Sequence, residues 1–190
     1  MSEILQLYKV DVKTKNNFHV FDFNVNETGK TLKVVSGTKD SGRERLIPIH
    51  PILLELGLLE FVKSDINRNK DQLFWTEDKN NNDKFSNFSK RFIRYKNKLG
   101  VKPSHDMEFK DFHSFRHLVR TKLSDIEEHG GITDDILGHS SSLRSSIGEN
   151  YNHANRLELK NEAISKIKYD SINFNIIKNW KACLFSKSEK

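Results

Sequence analysis

The stretch Arg45-Leu-Ile-Pro-Ile-His-Pro-Ile-Leu-Leu-Glu-Leu-Gly-Leu-Leu-Glu-Phe-Val62 changes its hydrophobic period part-way along, and that change sets the fold class. Up to Ile49 it is a short β-type run. Pro48 suits an edge or final strand position, because proline offers no N–H to a neighbouring strand. After His50, Pro51 is a good first helical residue, and Ile52, Leu53, Leu56, Leu59 and Val62 share one face at a period of 3.6. A strand that runs directly into an amphipathic helix marks the seam between a small sheet and a mainly helical remainder.

Working upstream, Phe18-His-Val-Phe-Asp-Phe-Asn-Val25 and Thr31-Leu-Lys-Val-Val35 are β-type runs joined by Asn-Glu-Thr-Gly, which is hairpin chemistry. With Arg45–Ile49 they predict a three-stranded antiparallel sheet. Residues 2–9, apolar at Ile4, Leu5, Leu7 and Tyr8, read as the last turns of a helix. Downstream, an Asn- and Asp-rich loop holds the apolar stretch Leu73-Phe-Trp75. A helix is then predicted over about 83–99, with Phe85, Phe88, Phe92, Tyr95 and Leu99 forming a core stripe and Gly100 a stop. Asp111 is a plausible N-cap for a helix carrying Phe112, Phe115, Val119, Leu123 and Ile126 inward as far as Gly130-Gly131. Shorter helices are expected over about 133–137, around Tyr151 and over 157–167. The tail from Tyr169 reads either as an amphipathic helix or as a flexible arm. The fold class is therefore mainly α with a small three-stranded antiparallel sheet, in one domain.

Composition narrows the function. Hydrophobic residues at 35% and charged residues at 31% of 190 describe a folded chain rather than a disordered one. Lys and Arg outnumber Asp and Glu by 32 to 26, a formal +6 that runs along the sequence without a basic tail and favours a polyanionic partner if it gathers on one face. The single cysteine, Cys183, excludes an internal disulfide framework and a cysteine-based zinc site, and fits a reducing cytoplasm. No stretch approaches the roughly 20 apolar residues that span a bilayer, and the N-terminus lacks a cleavable signal pattern.

Four short motifs carry chemistry. In Phe112-His-Ser-Phe-Arg-His-Leu-Val-Arg-Thr121, His113 and Arg116 lie three apart, on one side of the predicted helix, where two cationic or hydrogen-bonding groups suit a phosphate. Ile136-Leu-Gly-His-Ser140 places His139 directly after a glycine that releases the chain from a buried turn. Tyr151 follows twelve residues later in Gly-Glu-Asn-Tyr-Asn-His, and upstream Thr38-Lys-Asp-Ser-Gly-Arg-Glu-Arg-Leu-Ile-Pro48 supplies basic residues at a strand turn.

In that order the motifs resemble the phage integrase group of tyrosine recombinases, over Ser2 to about Lys168. The resemblance implies an integrase-type catalytic domain over 1–168 and a C-terminal tail over 169–190 that docks or is exchanged. It implies catalytic roles for Lys39, His113, Arg116, His139 and the nucleophile Tyr151, and DNA contacts from Arg43, Arg45, His117 and Arg120. The turn holding Lys39 could instead bring Lys33 or Arg43 to the phosphate. The interval from His139 to Tyr151 is a few residues longer than is usual in the family, and Tyr169 is the fallback nucleophile. The opening Ser2-Glu-Ile-Leu5 is similar to the family's first motif, with Glu3 as its glutamate; the motif's arginine would fall one position before Met1. The expectation is thus a domain lacking that arginine and the family's N-terminal DNA-closing domain, and at best feebly active.

The chemistry the resemblance implies suits these residue types. A tyrosyl oxygen attacks phosphorus, forms a 3′-phosphotyrosyl link and releases a 5′-hydroxyl that another strand replaces, with no metal, cofactor or ATP. Tyrosine ordinarily titrates near about 10, so His113 would accept its proton, Arg116 and His139 would hold the nonbridging oxygens, and Lys39 would protonate the departing oxygen. The implied partners are duplex DNA and further copies of the chain in a synaptic tetramer. Two other readings are carried: a DNA-binding remnant without catalysis, and a zinc-dependent hydrolase using His113, His117 and His139. His19, His50, His105, His129 and His153 are expected to be ordinary surface residues.

Overall fold

The computed structural model describes residues 2–24, 44–64, 71–74, 84–101, 111–126, 131–138 and 153–178. Helix α1 (Ser2–Leu5) ends the N-terminal apolar run after one turn. A 3₁₀ turn at Lys9–Asp11 follows, fastened by the buried Asp11 carboxylate, which accepts from the Tyr8 N–H at 2.7 Å. This segment is pinned to Asp71–Phe74: the Leu73 N–H donates to Leu7 O at 2.9 Å and the Lys9 N–H to Asp71 O at 2.7 Å. Leu73, from the apolar stretch noted in the sequence, is fully buried as a result.

Three strands form an antiparallel sheet in the order β1 (Val12–Lys15), β2 (Phe18–Phe23), β3 (Arg45–Pro48). The expected strands at 18–25 and 45–49 are present. The expected run at 31–35 and its turn lie outside the described residues. Besides β3, β2 pairs with β1, a strand the periodicity did not reveal because its Lys13, Thr14 and Lys15 side chains are all exposed. What makes this hairpin is Asn16-Asn17, both left-handed at φ 47° and 64°, as a two-residue type I′ turn demands. Register pairs Val12 with Phe21, and Val20 with Pro48. Val20 is completely buried, and Pro48 closes β3 as anticipated.

The single helix expected after His50 is two, α2 (Pro51–Glu55) and α3 (Leu58–Lys63), because Gly57 takes φ 87° and ends the run. His50 is half-buried, not an ordinary surface residue. Its Nδ1 accepts from the Ile52 N–H at 3.1 Å, capping α2, so Nε2 carries the proton and donates to Ile167 O at 3.0 Å.

The phenylalanine-rich helix is α4 (Lys84–Lys98). Its stripe is only partly core: Phe88 and Phe92 pack edge-on against Phe112 and Phe115, while Tyr95 and Leu99 are 61% and 58% exposed; the Phe85 side chain lies outside the described set. Asp111 caps α5 (His113–Ser124) as expected, accepting from the His113 and Ser114 N–H groups at 2.8 and 3.2 Å. Helices α6 (Ile132–Leu137) and α7 (His153–Lys166) complete the core: Leu123, Ile132, Ile136, Ile164 and Ile167 cluster with Ile47, Val119, Ile126 and Leu159. At about 1.5–3 kcal/mol per buried aliphatic side chain, this cluster is what joins the helices to β3. Arg156 of α7 fixes α6 by an ion pair with the buried Asp135.

The start of the tail belongs to the domain. Tyr169 packs against the core, 5.7 Å from the His50 ring and 6.4 Å from Phe174 of α8 (Phe174–Lys178). Ile172 and Ile176 face outward. Among the described residues no helix is long and apolar enough to cross a membrane.

Candidate functional site

The C-terminal end of α6 gathers residues from four separate segments. A helix ends with carbonyls that have no partner inside it and with a partial negative charge, so cations are stabilised there. Two arginines meet this end. Arg45, from the first position of β3, donates from Nε to Ile136 O at 3.2 Å, and Arg116, from the first turn of α5, donates from Nη2 to Leu137 O at 2.6 Å. Gly138 then closes the helix at φ 69°.

Arg45 is further held by Glu3. Its Nη1 and Nη2 reach Glu3 Oε1 and Oε2 at 3.3 and 2.9 Å, a two-pronged pairing, and its guanidinium lies 4.7 Å from the centre of the Phe23 ring. Burial pushes the Glu3 carboxyl up, but the hydrogen bonds and charge of Arg45, with the charge of Arg116 behind it, outweigh this and hold Glu3 below its ordinary value. The arginine plane also explains the glycine of Leu-Gly-His: a Cβ on Gly138 would lie 2.9 Å from Arg45 Cζ.

The Arg45 side chain, expected at the DNA, is only 9% exposed and engaged inside the protein, so its place is structural. It orients the segment that leads to His139. Sequence reasoning noted Glu3 only as a motif match and missed its pairing. No local signal in the sequence links residues 42 apart.

His113, His117 and Arg120 are exposed along one side of α5, and Arg116 points inward. The two imidazoles meet edge to face with centres 4.8 Å apart. Spacing alone placed His113 and Arg116 on one side of the helix; the structure turns them to different surroundings, His113 toward His117 and solvent, Arg116 toward Leu137. Lys39, Arg43, His139 and Tyr151 lie outside the described residues, as does Lys33. Tyr169 is poorly suited as an alternative nucleophile: it packs into the core beside His50, with the Lys122 ammonium 5.6 Å from its ring centre, and burial pushes its phenol up, away from the phenolate.

Among the described residues no group of three or more His, Cys, Asp or Glu side chains converges as a metal site, and His139, the third ligand of the zinc reading, is not among them. No protein-family model matches the chain, and neither a curated protein nor a solved structure matches it.

Proposed function

We propose that this chain is a cytoplasmic DNA strand transferase of the tyrosine recombinase type, acting on duplex DNA as a self-associated tetramer. The observation that supports this reading is the convergence at the end of α6. Glu3 of the opening motif, Arg45 of the strand motif, Arg116 of His-x-x-Arg and Gly138 of Leu-Gly-His form one hydrogen-bonded and close-packed group. Four stretches that mattered separately in the sequence become neighbours, with no requirement from local structure that they should.

In the proposed reaction Tyr151 attacks the phosphodiester, its hydroxyl proton passes to His113, and the 5′-oxygen leaves with a proton from Lys39. His113 is exposed and therefore reachable by a substrate phosphate and a phenol. Arg116, anchored at one amino group by Leu137 O, is held in a fixed orientation before substrate arrives, which is how a guanidinium is best used against charge that develops in the transition state. His139 follows Gly138 directly in the sequence.

The test is incubation with negatively supercoiled plasmid in the presence of a chelator, quenched with detergent. Cleavage and rejoining through a tyrosyl link relaxes the plasmid and leaves a trapped protein–DNA adduct. Tyr151→Phe should abolish the adduct, Tyr169→Phe should retain it, and Arg116→Ala should slow its formation by about 10²–10³. Binding without an adduct would reduce the chain to a DNA-binding module, and cleavage abolished by the chelator would favour the hydrolase.

A further inference from the structure

Helix α4 holds Lys84, Lys90, Arg91, Arg94, Lys96 and Lys98 and not one Asp or Glu. The whole chain has 32 Lys and Arg against 26 Asp and Glu; without these six the balance is 26 against 26. This one helix of 15 residues thus carries a net positive charge as large as that of the whole chain.

Lys90, Arg91, Arg94 and Lys98 are exposed. At 3.6 residues per turn they fall within an arc of roughly 100°, bordered by Tyr95, which is 61% exposed. The neighbouring arc carries Phe88 and Phe92, occupied by edge-on packing against Phe112 and Phe115. That packing turns the aromatic arc toward the start of α5, while the basic arc is exposed. It also disfavours a lipid surface as the partner, because Phe88 and Phe92, which a basic amphipathic helix would bury in a bilayer, are already used within the fold. From Lys90 to Lys98 the helix advances roughly 12 Å, over which one strand of a duplex presents about three phosphates.

We propose that α4 is a phosphate-tracking surface for duplex DNA, with Arg91, Arg94 and Lys98 neutralising successive backbone phosphates and Tyr95 at its margin. This rests on the DNA-binding part of the function proposed above and not on strand cleavage. No base-specific role is assigned to it; it supplies affinity and orientation.

The experiment is fluorescence anisotropy of the full chain with a labelled 25-base-pair duplex of arbitrary sequence, across 50–200 mM salt, a range over which counterion release is easily read. The triple variant Arg91→Gln, Arg94→Gln, Lys98→Gln is compared with a control of equal charge loss at exposed positions outside α4, Lys15→Gln, Lys63→Gln, Lys168→Gln. The surface variant should bind roughly tenfold or more weakly at 100 mM salt, with the log–log salt slope reduced by about 2–3, while the control changes the slope by less than about one. Single Arg94→Gln, checked by circular dichroism, should reduce the slope by about one and guards against misfolding of the triple variant. Equal losses in both triple variants would overturn the proposal in favour of net charge alone. So would failure of the parent chain to bind the duplex at 50 mM salt, or α4-dependent binding to anionic phosphatidylserine vesicles in place of DNA. A normal plasmid adduct with no α4 effect on binding sinks the α4 assignment only; the α4 effect without an adduct sinks strand transfer only.

Discussion

Arg45 touches three things at once: the Glu3 carboxylate, the Ile136 carbonyl and the face of Phe23. Removing it leaves a half-buried carboxylate and a helix-end carbonyl without their partner, so Arg45→Ala should cost about 1.5–3 kcal/mol in urea denaturation, the usual range for charged hydrogen bonds. The same pair makes stability depend on pH. Because the folded Glu3 carboxyl lies below its unfolded value of about 4.3, the unfolded chain binds the proton more readily in between. The stabilisation is thus present above about pH 4.3 and is lost as pH falls through the lowered folded value. Glu3→Gln should flatten that acid limb relative to the parent, and an unchanged acid limb would show that the pair contributes nothing. Gly138 depends on the same arginine. Gly138→Ala meets both a left-handed backbone at φ 69° and a guanidinium 2.9 Å from the new Cβ, whereas Gly131→Ala, at φ 91°, meets nothing within 4 Å. Both should destabilise, Gly131→Ala by about 1 kcal/mol and Gly138→Ala by about 2 kcal/mol or more, since only the second must also displace a tethered side chain.

At the scale of elements, the sheet and the last long helix are linked by a histidine. His50 caps α2 with one ring nitrogen and holds Ile167 O, just beyond α7, with the other. His50→Ala should lose both, about 1.5–3 kcal/mol, while His50→Asn should recover the cap's share of about 1 kcal/mol and leave the α7 tie broken. Thermal melts of the two variants side by side would separate the roles; equal melts would mean the cap is unimportant. The hairpin of β1 and β2 offers a stabilising change. Asn17 already sits at φ 64°, a conformation glycine adopts without strain, so Asn17→Gly should leave stability unchanged or raise it by up to about 0.5 kcal/mol, and Asn16→Val should lower it by about 1 kcal/mol or more. These elements were unequally visible in the sequence. The apolar stripe of α4 made both its ends legible, and the capping Asp111 made the start of α5 legible, whereas α5 ends at Ser124, short of the stop expected at Gly130-Gly131. Strand β1 was not, because it exposes nearly every side chain and leaves no alternation to detect.

For the molecule as a whole, one cluster joins α5, α6 and α7 to β3, and Leu123 at its centre is 1% exposed. Leu123→Ala should cost about 2–5 kcal/mol, and because the site at the end of α6 hangs on the same helices, the DNA binding proposed above and folding should fail together with rising urea. A variant that unfolds early while the described site persists would contradict this single-core picture.

The sequence by itself determined the α+β class, both ends of α4, the start of α5 and the residue types able to handle a phosphate. Periodicity, capping and turn chemistry are local, and each is written within about a dozen residues. Only the tertiary structure decided which of those residues meet. Arg45 lay among candidates for the DNA and turned inward, because a carboxylate 42 positions away and the end of α6 satisfy it there. His50 looked like surface and became a tie between distant elements, because Ile167 O arrives within 3.0 Å of its ring. The charge excess looked diffuse until α4 was seen with its aromatic arc packed and its basic arc outward. Contacts between residues far apart in the chain depend on how whole elements pack, and no local pattern encodes that.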